Sequence, residues 1–323
     1  MSLSDQLQKH WQRVDAVGIL LLPLSLVYWL VITARRWAYA VGVLKVHRFP
    51  VPVVVVGNLT VGGTGKTPFV MALTERLVGR GWQPGVVSRG YRGAFSQATL
   101  VPPDGDPRQF GDEPVLISRK TGLPVVVARK RAEGVRQLIR ESVDIVVSDD
   151  GLQHRAMGRC AEIALIDEME GFGNGFLLPA GPLREPSSRL ATVDIRVRRG
   201  GRARPREYSI EPRLRSARNL VTGDEVPLAH FQGQPLVGVA GIHRPGRFFE
   251  MLKQQGLTVS EQKFPDHHRF SPDDIATDTT VLMTEKDAVK CGTFAKENWW
   301  VVPLLMEIPE ALMEDLERLI GKR

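Results

Sequence analysis

The sequence predicts an α/β fold: a mostly parallel sheet with helices on both faces, a smaller C-terminal α/β domain, and an N-terminal membrane-associated helix. Three observations predict it. Short continuous Val/Ile runs alternate with helical patterns from Pro50 onward, a glycine-rich turn joins the first such run to a helix, and a long uncharged stretch lies near the start. The chain has 323 residues, 43% apolar and 24% charged, enough for one large core with a smaller companion.

The uncharged stretch covers 16–34 and is dominated by Leu, Val and Ile, interrupted by Gly18, Pro23 and Ser25. Lys9 and Arg13 precede it, and Arg35, Arg36, Lys45 and Arg48 follow. Cations on both sides favour a helix lying in the interface of an anionic leaflet, with both ends in one compartment, over a spanning one. An ordinary buried helix is the competing reading. No small-residue cleavage site follows, so a removed signal peptide is not expected. The formal net charge of +7 suits an anionic membrane surface or a phosphorylated substrate. The basic residues form no aromatic-interleaved stripe or zinc-finger spacing, so nucleic acid is not expected as a partner. No motif sets an oligomeric state. Cys160 and Cys291 lie far apart with no metal-ligand pattern and read as inert core thiols.

Strands are expected over 51–56, 84–88, 123–128, 145–148 and 163–167, and helices over 68–80, 113–120 and 132–141. The stretch 196–215 is rich in Arg, Pro and Gly with a weak strand pattern, and reads as the joint between domains. A second unit then opens with a strand over 236–241, turns through His243, Arg244 and Pro245 into a helix over 247–255, and adds a strand over 280–283. The organisation is thus 1–40 as a hydrophobic anchor, 41–205 as the main domain and 206–323 as the smaller one.

Thr60-Val61-Gly62-Gly63-Thr64-Gly65-Lys66-Thr67 reads as a phosphate-binding loop, which makes the fold P-loop NTPase-like. Glycines let the backbone wrap oxyanions, Lys66 reaches the β- and γ-phosphates, and the Thr67 hydroxyl ligates Mg²⁺. Thr60 stands where the general pattern has glycine, so the first turn is expected to use another backbone conformation. Asp149 and Asp150 end the strand 145–148, on the ligand-facing edge of such a sheet, where one of the pair would hold Mg²⁺.

Ser88-Arg89-Gly90-Tyr91-Arg92-Gly93 also follows a strand and reads equally as a phosphate or sugar contact or as a basic turn. Asp112, opening a helix in Gly111-Asp112-Glu113-Pro114, is an N-cap or a carboxylate near an acceptor hydroxyl. Phe264-Pro265-Asp266-His267-His268 offers a histidine polarised by a neighbouring carboxylate rather than a metal pair. Thr284-Glu285-Lys286-Asp287 resembles the base-reading loop of guanine-nucleotide proteins, without the usual leading asparagine. Arg184, beside Glu185, either neutralises a transferring phosphoryl group or pairs with that neighbour.

Taken together and in order, these landmarks resemble the tetraacyldisaccharide 4'-kinase family over nearly the whole chain. The run from Gly57 to Pro68, Ser88-Arg89-Gly90-Tyr91, Gly111-Asp112-Glu113-Pro114, Asp149-Asp150-Gly151-Leu152-Gln153-His154, Leu183-Arg184-Glu185, Asp266-His267 and Thr284-Glu285-Lys286-Asp287 carry the likeness. The family itself shows threonine in place of the first glycine. The resemblance implies ATP and Mg²⁺, with γ-phosphate transfer to the 4'-hydroxyl of a disaccharide 1-phosphate lipid A precursor, giving lipid IVA at the cytoplasmic face of the Gram-negative inner membrane. It implies Asp112 as base with His267 tuning it, and Lys66 and Arg184 on phosphate charge. Thr67, Asp149, Asp150 and Glu113 would serve the metal. Residues 60–67 with Thr284, Lys286 and Asp287 would hold the nucleotide, the last three by the adenine. Asn58, Arg89, Tyr91, Gln153 and His154 would face the acceptor. The C-terminal domain would then contribute to the nucleotide site and close over it. His243 and Arg244 depart from the smaller or amide residues expected there.

The main rival is a membrane-associated ATPase or GTPase switch of the partitioning or metal-insertion type. Such ATPases carry a signature lysine before the Gly-Gly pair, where this chain has Val61, and a switch needs no Asp112 or His267 loop. A non-catalytic lipid-binding scaffold is the second rival; it predicts no acceptor-dependent turnover.

Overall fold

The computed structural model describes residues 10–91, 93–275 and 277–321; Lys9 and Arg92 of the sequence readings lie outside them. Two helices come first, α1 (Ala16–Leu20) and α2 (Leu22–Ala40), parted at Leu21 with Pro23 in the first turn of the second. Their apolar side chains face outward: Leu20 is 79% exposed, Val31 60% and Leu24 57%, so this is not a buried helix of the core. The residues that interrupt the apolar run are the docking points. Ser25 Oγ donates to the Leu177 carbonyl at 2.9 Å and accepts from Ala180 N–H at 3.0 Å, and the Tyr28 hydroxyl donates to the Arg184 carbonyl at 2.9 Å. No helix among the described residues is long and apolar enough to cross a membrane.

The main sheet begins with β1 (Val53–Gly57), whose residues are all buried. Helix α3 (Lys66–Val78), β2 (Pro84–Ser88) and the short β3 (Thr99–Leu100) follow. Next come α4 (Pro107–Phe110), α5 (Asp112–Thr121), β4 (Val125–Val127), α6 (Arg131–Arg140), β5 (Ile145–Ser148) and β6 (Ala161–Asp167). The eight strands run in the order β3-β4-β2-β5-β1-β6-β7-β8, the last two being β7 (Ile195–Arg199) and β8 (Tyr208–Ile210), and all pairings but β3 with β4 are parallel. Alternate residues of β1 feed opposite cores. Val54 and Val56 pack with Phe69, Leu73 and Leu77 of α3, while Val53 and Val55 pack with Val135 and Leu138 of α6. Each such burial is worth roughly 1.5–3 kcal/mol, and a strand covered on both faces needs them without polar interruption, hence the unbroken valines.

The stretch read as a joint, 196–215, instead supplies β7 and β8 of this sheet. Arg198 hid them: it breaks the apolar pattern, yet is buried because Glu207 accepts from its Nε at 2.7 Å and Glu168 from its Nη1 at 2.5 Å. The chain passes to the second sheet after Ile210, beyond the 205/206 division read from sequence.

That second sheet has six strands in the order β10-β9-β14-β13-β11-β12. They are β9 (Ser216–Asn219), β10 (Glu225–Pro227), β11 (Leu236–Ala240), β12 (Val259–Lys263), β13 (Thr280–Thr284) and β14 (Trp299–Val302), with α7 (Pro245–Gln254), α8 (Glu285–Cys291) and α9 (Glu310–Ile320) between and after them. Only β11 and β13 were legible as strands. At the edge, β12 (Val-Ser-Glu-Gln-Lys) exposes all but Val259, so it carries no hydrophobic signature.

Candidate active site

Strand β1 ends against the phosphate loop. Gly65 caps α3 with φ at +82°, a left-handed conformation that a side chain would resist. Thr60 is not strained: it forms an antiparallel bridge with Leu183, and Val61 N–H donates to the Pro182 carbonyl at 2.8 Å. This extended pairing is why a β-branched residue fits where the general motif has glycine. Asn58, read as facing the acceptor, has 0% exposure and instead receives Lys66 Nζ on Oδ1 at 3.0 Å while donating to Thr60 Oγ1 at 3.3 Å. It aims the lysine and is not open to a substrate.

The two strand-end aspartates differ sharply. Asp150 accepts from Arg184 Nη1 at 2.9 Å on both oxygens and lies 3.7 Å from Lys66 Nζ. Burial would raise its pKa, but Lys66 and Arg184 outweigh burial and hold it well below the usual carboxylate range. Arg184 therefore pairs with Asp150 and not with Glu185, which holds Arg155 at 2.9 Å and Gln153 at 3.0 Å. Asp149 is 2% exposed, and its Oδ1 is buried without a hydrogen-bond partner. Burial, then Glu113 and Asp150, push its pKa up to about 7. A buried carboxylate oxygen with no donor among the described residues, near the carboxylates of Glu113 and Asp150, is a donor set suited to a hard divalent cation. Mg²⁺ fits here, with Asp149 the open member of the pair and Asp150 already neutralised. Among the described residues no group of three or more His, Cys, Asp or Glu is placed to hold a metal ion by itself.

Behind Asp149 sits Arg131, 2% exposed, donating to the Asp149 carbonyl at 2.9 Å and the Ala128 carbonyl at 3.1 Å. No sequence motif marks this residue. His154 lies close enough to Arg131 and Arg89 that burial first and those cations next lower its pKa to about 4, leaving it neutral. Gln153 donates to the Asn58 carbonyl at 3.3 Å.

Asp112 opens α5 behind Gly111, whose φ of +93° lets the backbone pass so close to the Ser88–Gly93 turn that a Cβ there would stand 2.9 Å from the Tyr91 carbonyl. That approach puts Tyr91 beside Asp112. From the second sheet comes His267, itself in the left-handed region at φ +60°, with Nδ1 2.9 Å from Asp112 Oδ2 and its ring 5.3 Å from that of Tyr91. Tyr91, Arg108, Asp112, His267, Arg269 and Lys290 line one cleft. Lys286 donates to Glu113 Oε1 at 3.2 Å, Asp266 Oδ1 at 3.1 Å and faces His267 Nε2 at 3.2 Å.

Asp287 is not placed to meet a base. It is 0% exposed, its Oδ2 accepting from Thr284 Oγ1 at 2.6 Å and Gly241 N–H at 2.8 Å, its Oδ1 from Lys290 at 2.8 Å. Thr284 is the N-cap of α8. His243 and Arg244 have definite places: a Cβ on Gly62 would stand 2.8 Å from His243 Nε2, so this imidazole lies on the phosphate loop, while Arg244 Nε forms an ion pair with Glu170 at 2.7 Å. Arg247 Nη2 holds Asp167 Oδ1 at 2.6 Å, so the start of α7 is latched to the end of β6. Both cysteines are free thiols with pKa raised by burial, Cys291 to about 12.

The family model described as Tetraacyldisaccharide-1-P 4'-kinase matches residues 17–321. The tetraacyldisaccharide 4'-kinase of Methylobacillus flagellatus is 46% identical over 98% of this chain and 96% of its own length. That of Nitrosococcus oceani is 45% identical over 95% of this chain and 91% of its own. The crystal structure of LpxK from Aquifex aeolicus in complex with ATP superposes with a TM-score of 0.80 at 29% identity, covering 94% of this chain and 99% of that one.

Proposed function

The chain belongs to the tetraacyldisaccharide-1-P 4'-kinase family, and from that premise we propose how its residues divide the work of the reaction. It is an ATP-dependent kinase that phosphorylates the 4'-hydroxyl of a tetraacyldisaccharide 1-phosphate lipid A precursor. The switch reading is not favoured.

The observation that carries the assignment of roles is the hydrogen bond between Asp112 and His267, 155 residues apart in sequence. A pure ATPase has no use for a carboxylate–imidazole pair on the acceptor side. Among the described residues the charged neighbours of Asp112 meet Oδ2, His267 at 2.9 Å and Lys290 at 4.0 Å, and Oδ1 is the oxygen we assign to the incoming hydroxyl. Asp112 takes the hydroxyl proton as the new O–P bond forms and the bond from the γ-phosphorus to the β,γ-bridging oxygen breaks, the electron pair leaving with ADP. Lys66, aimed by Asn58, and Arg184, beside Asp150, supply positive charge to the phosphate oxygens. Asp149, Thr67 and Glu113 would hold Mg²⁺, which would neutralise triphosphate charge when bound. Tyr91, Arg89 and His154 face the acceptor, while Asn58 and Gln153 act by holding Lys66 and Glu185 in place. His243 lies on the loop and Arg247 latches Asp167, so the C-terminal unit helps shape the nucleotide site.

We place the enzyme at the cytoplasmic face of the inner membrane, with α1 and α2 lying in the lipid interface. The outward apolar side chains between Val17 and Val31, followed by exposed Arg35, Arg36, Lys45 and Arg48, support this. Incubating the purified protein with γ-labelled ATP and the disaccharide lipid tests the chemistry. Label on the 4'-oxygen is expected; acceptor-independent release of phosphate alone would remove it.

A further inference from the structure

We propose that Lys286 is a positioning residue that fixes the tautomer of His267, placing the ring proton on Nδ1, where it is donated to Asp112. The inference rests on the reading of Asp112 as base but concerns a different residue and a different observable.

An ammonium group carries three N–H donors and no acceptor. Lys286 Nζ meets three acceptors at hydrogen-bond distance: Glu113 Oε1 at 3.2 Å, Asp266 Oδ1 at 3.1 Å and His267 Nε2 at 3.2 Å. Donors and acceptors match one to one. The nitrogen facing Lys286 must offer a lone pair, because an N–H there would point at an N–H. The other nitrogen, Nδ1, then bears the proton and donates to Asp112 Oδ2 at 2.9 Å.

The remaining neighbours do not compete. Asp266 Oδ2 is 3.8 Å from His267 Nε2, beyond hydrogen-bond reach, and its charge is already met by Lys286. Lys290 lies 4.0 Å from Asp112 Oδ2 and is committed to Asp287 at 2.8 Å. The Tyr91 ring packs on the imidazole at 5.3 Å. Because Lys286 sits on α8 of the second sheet and Glu113 on α5 of the first, the same ammonium also ties the docking of the two units to the state of the imidazole. The Asp112 oxygen that receives Nδ1–H is held by a donor, so the carboxylate is oriented before the acceptor arrives.

Nitrogen-15 NMR of full-length protein labelled at histidine reads both ring nitrogens directly, with His267→Gln identifying the signals among seven histidines. The native ring is expected to show a protonated Nδ1 and an unprotonated Nε2. Lys286→Met removes the donor that keeps Nε2 bare, so an Nε2–H signal should appear, and Lys286→Arg, also a pure donor, should keep Nε2 unprotonated and Nδ1–H in place. For Lys286→Met, kcat is expected to fall on the order of tenfold with KM for ATP little changed, and Lys286→Arg to recover most of it. A native ring protonated at Nε2, or a Lys286→Met ring identical to the native one, would overturn the proposal, as would a rise in KM for ATP at unchanged kcat. The native spectrum decides even if the variants fold poorly. A native Nδ1–H ring together with full turnover in Asp112→Ala would remove the base and leave the tautomer standing.

Discussion

His267, from the second sheet, lies with Nδ1 2.9 Å from Oδ2 of Asp112, which opens a helix of the first. Neither unit holds the pair alone. Glu113, next to Asp112, bears on Asp149, and Lys66 bears on both Asp149 and Asp150, so charged groups run without a break from the phosphate loop to the imidazole.

The tie between Asn58 and Lys66 predicts that removing the amide harms a site it never touches. Asn58→Ala should lower kcat/KM for ATP about tenfold to a hundredfold, the equivalent of a charge-assisted hydrogen bond of about 1.5–3 kcal/mol. Lys66→Ala should cost more. Steady-state kinetics against ATP check both, and an Asn58→Ala enzyme with native constants would detach the amide from the lysine.

Much of this was open to reading from sequence, and the misreadings share one cause. The valines of β1 and the loop from Gly62 to Thr67 announce themselves because strand and turn follow from local residue type. Asn58, Arg198 and Asp287 mislead because each is a polar residue whose burial depends on a partner supplied by the fold: Lys66 through the loop, Glu168 across the sheet, Gly241 across the second unit. Arg131 was missed for the same reason, its acceptors being backbone carbonyls that no pattern of side chains reveals. The separation of Asp149 from Asp150 needed Arg184, which only the fold brings up.

If Asp149 is the magnesium ligand proposed above, its protonation gives magnesium binding a pH dependence. Its pKa is raised from 3.8 to about 7 in the fold, so the metal-free native state holds a proton that the unfolded chain has released. The stability it lends is complete below the unfolded value and is lost as pH rises through about 7. Mg²⁺ competes with that proton, so the increase in Tm on adding Mg²⁺ should grow from about pH 6 to about pH 8. Thermal scans of the native protein and Asp149→Asn read it; a magnesium increment independent of pH, or unchanged in Asp149→Asn, would exclude Asp149 as ligand.

The latch between units predicts a stability effect. Arg247→Met leaves the Asp167 carboxylate, 2% exposed, with Arg199 at 3.4 Å as its remaining cation beside the backbone N–H groups of Met169 and Glu170 at 3.1 Å. Breaking such a buried pair costs about 3–5 kcal/mol, which urea unfolding should register. Losses near zero would show that the latch is not a stabilising contact.

The outward apolar face of α1 and α2 predicts association with anionic vesicles. Full-length protein should float with them, and replacing Leu24, Leu26 and Leu30 by Ser should shift it to the soluble fraction without loss of fold, since those side chains are more than half exposed at 57%, 57% and 54%. Unchanged flotation would place the membrane contact elsewhere.

The central claim is that Asp112 takes the proton from the 4'-hydroxyl, and Asp112→Ala tests it most directly when ATP affinity and single-turnover transfer to the disaccharide lipid are measured on the same preparation. ATP binding should be nearly native while the transfer rate falls on the order of 10² to 10⁴. Transfer at the native rate would contradict the account.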